Sequence, residues 1–112
     1  MNTSMVTSIY RTFDYCLKLQ SLPELDFSNV TNATDSFWNC QSLTDLGGFI
    51  GLKVGINLSA CTALTHDSLL NVINKAADVT ASPVTLTLGS ANLAKLTDEE
   101  KAIATNKGWT LA

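Results

Sequence analysis

The sequence predicts an α/β solenoid, with parallel β-strands on one face and turns and short helices on the other. Three observations carry that expectation. First, Val6, Thr7, Phe13, Cys16, Leu19 and Leu22 return at constant offset as Val30, Thr31, Phe37, Cys40, Leu43 and Leu46. Second, an apolar spacing of three runs through Phe13, Cys16, Leu19, Leu22 and Leu25. A helix mixes steps of three and four, and a strand steps by two. A step of three suits a chain that turns a corner every few residues and buries one side chain at each corner. Third, the C-terminal half reads as strand–helix pairs.

The 112 residues divide into units of about 5–28, 29–51, 52–83 and 84–112 within one domain. The offset of the repeat falls in the roughly 20–29-residue range of leucine-rich repeats, so the expected fold is a leucine-rich-repeat solenoid. In the third unit, "LKVGINLS" alternates, with Leu52, Val54, Ile56 and Leu58 inward and Lys53, Gly55 and Asn57 outward. "THDSLLNVINKAAD" follows as a helix. Thr65 is its N-cap, Asp67 favours the positive end of its dipole, and Leu69, Leu70, Ile73 and Ala77 form its apolar stripe. Pro83 prevents continuation. In the fourth unit, "VTLTLG" points Val84, Leu86 and Leu88 inward and Thr85 and Thr87 outward. Thr97 with Glu100 spells a capping box for the helix in "LTDEEKAIATNKG", and Gly108 is placed at C′. "WTLA" supplies a last strand, with Trp109 closing the core.

Composition excludes several function classes. Charged residues make up 15 %, against about 25 % in an average soluble domain. Polarity comes instead from 10 Ser, 14 Thr and 9 Asn, residues of turns and strand surfaces. The net charge is −3 and no basic patch exists, which argues against nucleic acid and anionic membranes as partners. No apolar run approaches the roughly 20 residues of a membrane span, so no insertion is expected. "MNTSMVTSIYRTF" has no charged segment followed by an apolar one, so it does not read as a signal peptide.

No catalytic residue, metal ligand or cofactor is expected. Cys16 and Cys40 share one repeat position, and Cys61 in "LSACTAL" sits in a similar frame to Cys40 in "FWNCQSL". They read as a ladder of small buried side chains. A disulfide between rungs needs specific geometry, and a metal site lacks CxxC spacing and a second His. Cys61, His66 and Asp67 can be drawn as nucleophile, base and orienter. The ladder position of Cys61 and the first-turn position of the other two argue against it. The glycines of "LGGFIGLKVG" lack phosphate-loop order and mark a bend. "NVT", "NAT" and "NLS" are glycosylation sequons in form, and Asn29 and Asn32 read as turn side chains bonding local backbone.

The outward strand positions are Gln20, Glu24, Thr44, Asp45, Lys53, Asn57, Thr85 and Thr87. Parallel strands would set them side by side as a shallow polar partner face. Trp38 matches Asp14, as Phe37 matches Phe13, so Trp38 faces outward or covers an edge and joins them as a candidate anchor. The first unit has no amphipathic cap, so the expectation is that either further repeats precede it or its edge pairs with another copy, self-association through this edge being the hypothesis.

Residues 5–49 resemble the leucine-rich repeats of BspA-like bacterial surface proteins. Asp26, Ser28, Asn29, Val30, Thr31, Phe37, Cys40, Leu43 and Leu46 carry the resemblance, and the first unit keeps Val6, Thr7, Phe13, Cys16, Leu19 and Leu22. The C-terminal strand, capped helix and "KGWTL" resemble the tail that ends such repeats in gut bacterial and phage proteins. The resemblance implies a non-enzymatic module at the cell surface that recognises a protein or glycan surface, with adhesion as its role. The alternatives are a phage virion or receptor-binding component, since related repeats occur in phage proteins, and an intracellular protein-interaction module, since the sequence does not read as carrying a secretion signal.

Overall fold

The computed structural model describes residues 3–112. The first two units are built mainly from turns. In the second, the amides of Cys40 and Leu43 donate to the carbonyls of Phe37 and Cys40, three positions back in each case. In the first, Thr12, Asp14, Cys16 and Leu19 donate to Ile9, Arg11, Phe13 and Cys16. The apolar step of three is therefore a chain of consecutive turns, each handing one side chain to the core. The repeat copies backbone strain as well as side chains. Arg11 and Tyr15 have positive φ (53° and 59°), and so do their repeat counterparts Asp35 and Asn39 (54° and 64°).

The two units lie against each other in the register of the repeat. β1 (Ser21–Leu22) pairs in parallel with β3 (Asp45–Leu46), Ser21 opposite Asp45. β2 (Leu25–Asp26) pairs in parallel with β4 (Phe49–Ile50), Leu25 opposite Phe49. Between the turns, the amides of Ile9, Arg11, Phe13 and Tyr15 donate to the carbonyls of Asn32, Thr34, Ser36 and Trp38 at 2.9–3.1 Å. Phe13 stacks on Phe37 with ring centroids 5.1 Å apart, and Phe27 on Phe49 at 4.6 Å.

The C-terminal half holds β5 (Ile56–Asn57), α1 (His66–Lys75), β6 (Val84–Thr87), α2 (Ser90–Leu93), α3 (Asp98–Asn106) and β7 (Trp109–Leu111). The two expected long helices form where their caps predict them. Thr65 accepts from the Ser68 amide at the start of α1, and Thr97 with Glu100 completes the capping box of α3. The buried stripe of α1 is Ser68, Leu69, Val72 and Ile73, while Leu70 and Ala77 are only half buried. Trp109 is buried, and its indole N–H donates to the Ala77 carbonyl.

The solenoid expectation is overturned. Among the described residues the strands form three separate small sheets, β1–β3, β2–β4 and β5–β6–β7, in a body measuring 33 × 31 × 19 Å. They do not join into a continuous parallel sheet along one face. The reason lies in the third unit. Where β3 would need another strand, the chain delivers α1, whose own amides and carbonyls are spent within the helix. Side chains take over instead. The buried Ser68 hydroxyl donates to the Thr44 carbonyl and accepts from the Leu46 amide, Asn71 donates to the Leu46 carbonyl, and Lys75 to that of Gly47. The expected strand over Leu52–Leu58 also shrinks to Ile56–Asn57, although its inward and outward alternation survives.

Two further devices join successive units. Asp26, Asn57 and Asp78 each accept from the amide and hydroxyl two positions on, at Ser28, Ser59 and Thr80. A glycine with positive φ in the following unit lies against each of these turns: Gly51 on Ser28, Gly89 on Ser59 and Gly108 on Thr80. These bonds to Ser28 and Thr80 hold the Asp26 and Asp78 carboxyls below the ordinary carboxylate range. In the interior, the buried Asn92 amide donates to the carbonyls of Leu58, Cys61 and Leu88. The Lys107 ammonium donates to Ile73, Asn74 and Ala76, so it caps the end of α1 rather than its own helix. A single apolar core runs through all four units from Ile9 to Trp109.

Candidate recognition surface

The eight outward strand residues do not share a face. Gln20, Glu24, Thr44 and Asp45 sit around β1 and β3 beside α1. Glu24 pairs with Lys75 at 2.5 Å, and the Thr44 hydroxyl donates to the Gln20 carbonyl at 3.1 Å. Both groups serve packing between elements. Asp45 lines an open depression of about 350 Å³ with Thr65, Asp67, Ser68 and Asn71. Asn57, Thr85 and Thr87 come together elsewhere, on β5 and β6. They line a second open depression of about 290 Å³ together with Thr34 and Asp35. Lys53 is exposed and joins neither.

Trp38 faces outward, 46 % exposed. It is not alone. Tyr10 and Tyr15 are 52 % and 64 % exposed, and Leu17 is 50 % exposed. The Tyr15 amide donates to the Trp38 carbonyl, which sets these two residues on adjoining turns. The Arg11 guanidinium lies 5.9 Å from the Tyr10 ring centroid and pairs with Asp14. The exposed residues of these two units include the types that dominate interface energetics: Trp, Tyr and Arg. The sequence carries a signal for Tyr15, because it occupies the repeat position of Asn39, outside the buried frame.

The cysteine, histidine and aspartate that sequence proximity suggests as a catalytic set are held apart in role. The Cys61 thiol is buried and points at the Phe37 carbonyl 3.6 Å away, as the Cys40 thiol points at that of Phe13, 2.8 Å away. Burial pushes the pKa of the Cys61 thiol up to about 12, away from nucleophilic use. All three cysteines are free thiols. His66 bridges the starts of two helices, with Nε2 2.6 Å from Glu100 and Nδ1 3.2 Å from Asp67. Those contacts, Glu100 first, raise its pKa above the ordinary imidazole value. Among the described residues no group of three or more His, Cys, Asp or Glu is placed to hold a metal ion, and no helix is long and apolar enough to cross a membrane.

Comparison with family models, with curated proteins and with solved structures finds no match to this chain.

Proposed function

We propose that this protein is a non-enzymatic recognition module that binds a protein or glycan surface through the outer side of its first two units. The observation that carries the reading is the exposed pair Tyr15 and Trp38 on adjoining turns, with Tyr10 also exposed in the first unit. Exposed large aromatics lose solvation favourably when covered, lose little side-chain entropy, and offer a polar tip for orientation. All four Phe residues and Trp109 are at least half buried, so the exposed rings are a selective feature of this surface rather than a general surplus. In the sequence resemblance to BspA-like surface proteins, the role of such a module is adhesion at a cell surface.

The test is binding to arrays of extracellular proteins and glycans by the intact chain and by Tyr15→Ala and Trp38→Ala. The reading predicts at least one saturable ligand whose affinity falls about tenfold or more in both variants, each of them still folded. No saturable ligand, or one bound equally by both variants, contradicts it.

A further inference from the structure

The outer edge of the first unit carries a row of open backbone acceptors. The carbonyls of Asn32, Thr34, Ser36 and Trp38 each accept an amide from the first unit. Their counterparts one repeat earlier are the carbonyls of Ser8, Tyr10, Thr12 and Asp14. Among the described residues nothing donates to these four. The matching amides are not open in the same way. Tyr10 donates to the Ser8 hydroxyl, and Thr12, Asp14 and Cys16 donate to carbonyls inside the unit. From Tyr10 to Asp14 the backbone of this edge therefore offers acceptors and, among the described residues, no free amide. Beside the row, Val6, Ile9, Phe13, Leu25 and Phe27 line an apolar depression of about 300 Å³. One oxygen of Asp14, Oδ1, is buried without a hydrogen-bond partner.

We infer that this edge docks a polypeptide segment of another chain that repeats the turn pattern of residues 5–28 and donates alternate backbone N–H groups to Ser8, Tyr10, Thr12 and Asp14. The contact continues the packing already made between the first two units, with the same donor spacing. An inward aromatic ring of the segment lies on Phe13, as Phe13 lies on Phe37. The direction of the hydrogen bonds decides between partners. Two identical edges placed face to face would set acceptor against acceptor over this row, so a symmetric dimer gains nothing from it. The occupant is a donor row, so the association is asymmetric. This inference concerns the backbone and stands independently of the aromatic recognition patch.

The test uses two synthetic peptides as probes against the intact chain, residues 5–28 and residues 29–51. Each is prepared also with N-methyl groups on its four donors: Ile9, Arg11, Phe13 and Tyr15 in the first, and Ala33, Asp35, Phe37 and Asn39 in the second. Carbonyl ¹³C shifts of the labelled protein report the acceptors directly. The inference predicts saturable binding of at least one unmethylated peptide, downfield movement of the Ser8, Tyr10, Thr12 and Asp14 carbonyls, and at least about tenfold weaker binding after methylation. Equal binding of the methylated peptides, shifts confined to other residues, or no binding of either peptide at about 1 mM overturns it.

Discussion

Asn92 is the interior polar group on which the C-terminal half depends most. It is fully buried on the short helix α2. Its amide reaches the carbonyls of Leu58 (3.2 Å), Cys61 (3.3 Å) and Leu88 (3.0 Å), and its own carbonyl accepts from Lys95 at 3.1 Å. It thus ties the turns after β5 to the segment after β6. Replacing it by Ala removes an amide with two protons shared among three carbonyls. Each proton in a good bond contributes about 1 kcal/mol net. The void left in a packed interior adds about 1 kcal/mol more. Asn92→Ala should therefore cost about 3 kcal/mol, a large share of the roughly 5–15 kcal/mol expected for a domain of this size. At about 4 °C per kcal/mol, the melting temperature should fall by about 12 °C. Thermal unfolding followed by circular dichroism, with urea unfolding beside it, reads both quantities. Asn92→Asp should also destabilise, because it keeps the shape but has no donors for the three carbonyls. If Asn92→Ala unfolds within about 1 kcal/mol of the parent, the amide is not the tie described and the reasoning fails.

Other outcomes follow from the same contacts. Gly108 has φ +92°, and a Cβ built there would stand 2.7 Å from the Thr80 backbone; Gly108→Ala should destabilise by about 2 kcal/mol or more in urea unfolding, and an unchanged midpoint would refute the close approach. His66 should titrate above the ordinary imidazole pKa by NMR, and Glu100→Gln should lower that value, since Glu100 is its first partner. A raised folded-state pKa makes this contact stabilise fully below the unfolded His pKa and fade as pH rises through the folded one, so the melting temperature should decline slightly across that window and not in His66→Gln. With iodoacetamide at mildly alkaline pH, the native protein should be alkylated at the partly exposed Cys16 ahead of Cys40 and Cys61, which should react only on unfolding. Native labelling at Cys61 by mass spectrometry would contradict its burial.

Local structure is largely legible in the sequence because its signals are local. Thr65 and Thr97 announce their helices through short-range cap chemistry, and the step of three through Phe37, Cys40 and Leu43 announces turns. Even the register of Ser21 on Asp45 follows from the offset of the repeat. The arrangement of sheets is not legible. Whether β3 gains a third strand depends on what the third unit places beside it, and there α1 substitutes Ser68, Asn71 and Lys75 side chains for a strand edge. Those three residues read locally as helix surface, because their acceptors at Thr44, Leu46 and Gly47 lie a full unit back along the chain. The site is legible in part for the same reason. Trp38 stands out because its repeat partner Asp14 is polar. Tyr10 and Tyr15 escape a reading based on strand alternation, because the exposed rings stand on turns. The expected joint face fails because Thr85 and Thr87 belong to a different sheet from Asp45, and Thr44 lies just before that strand.

The most direct test of a recognition role for the first two units is the emission of Trp38 in the presence of an array-selected ligand. Trp109 is buried and hydrogen-bonded, so the difference between the parent and Trp38→Phe isolates the half-exposed Trp38. If the ligand covers this surface, that difference spectrum shifts to shorter wavelength and becomes protected from iodide quenching as binding saturates. A ligand that binds with full occupancy while Trp38 emission and quenching stay unchanged places recognition elsewhere and contradicts the account.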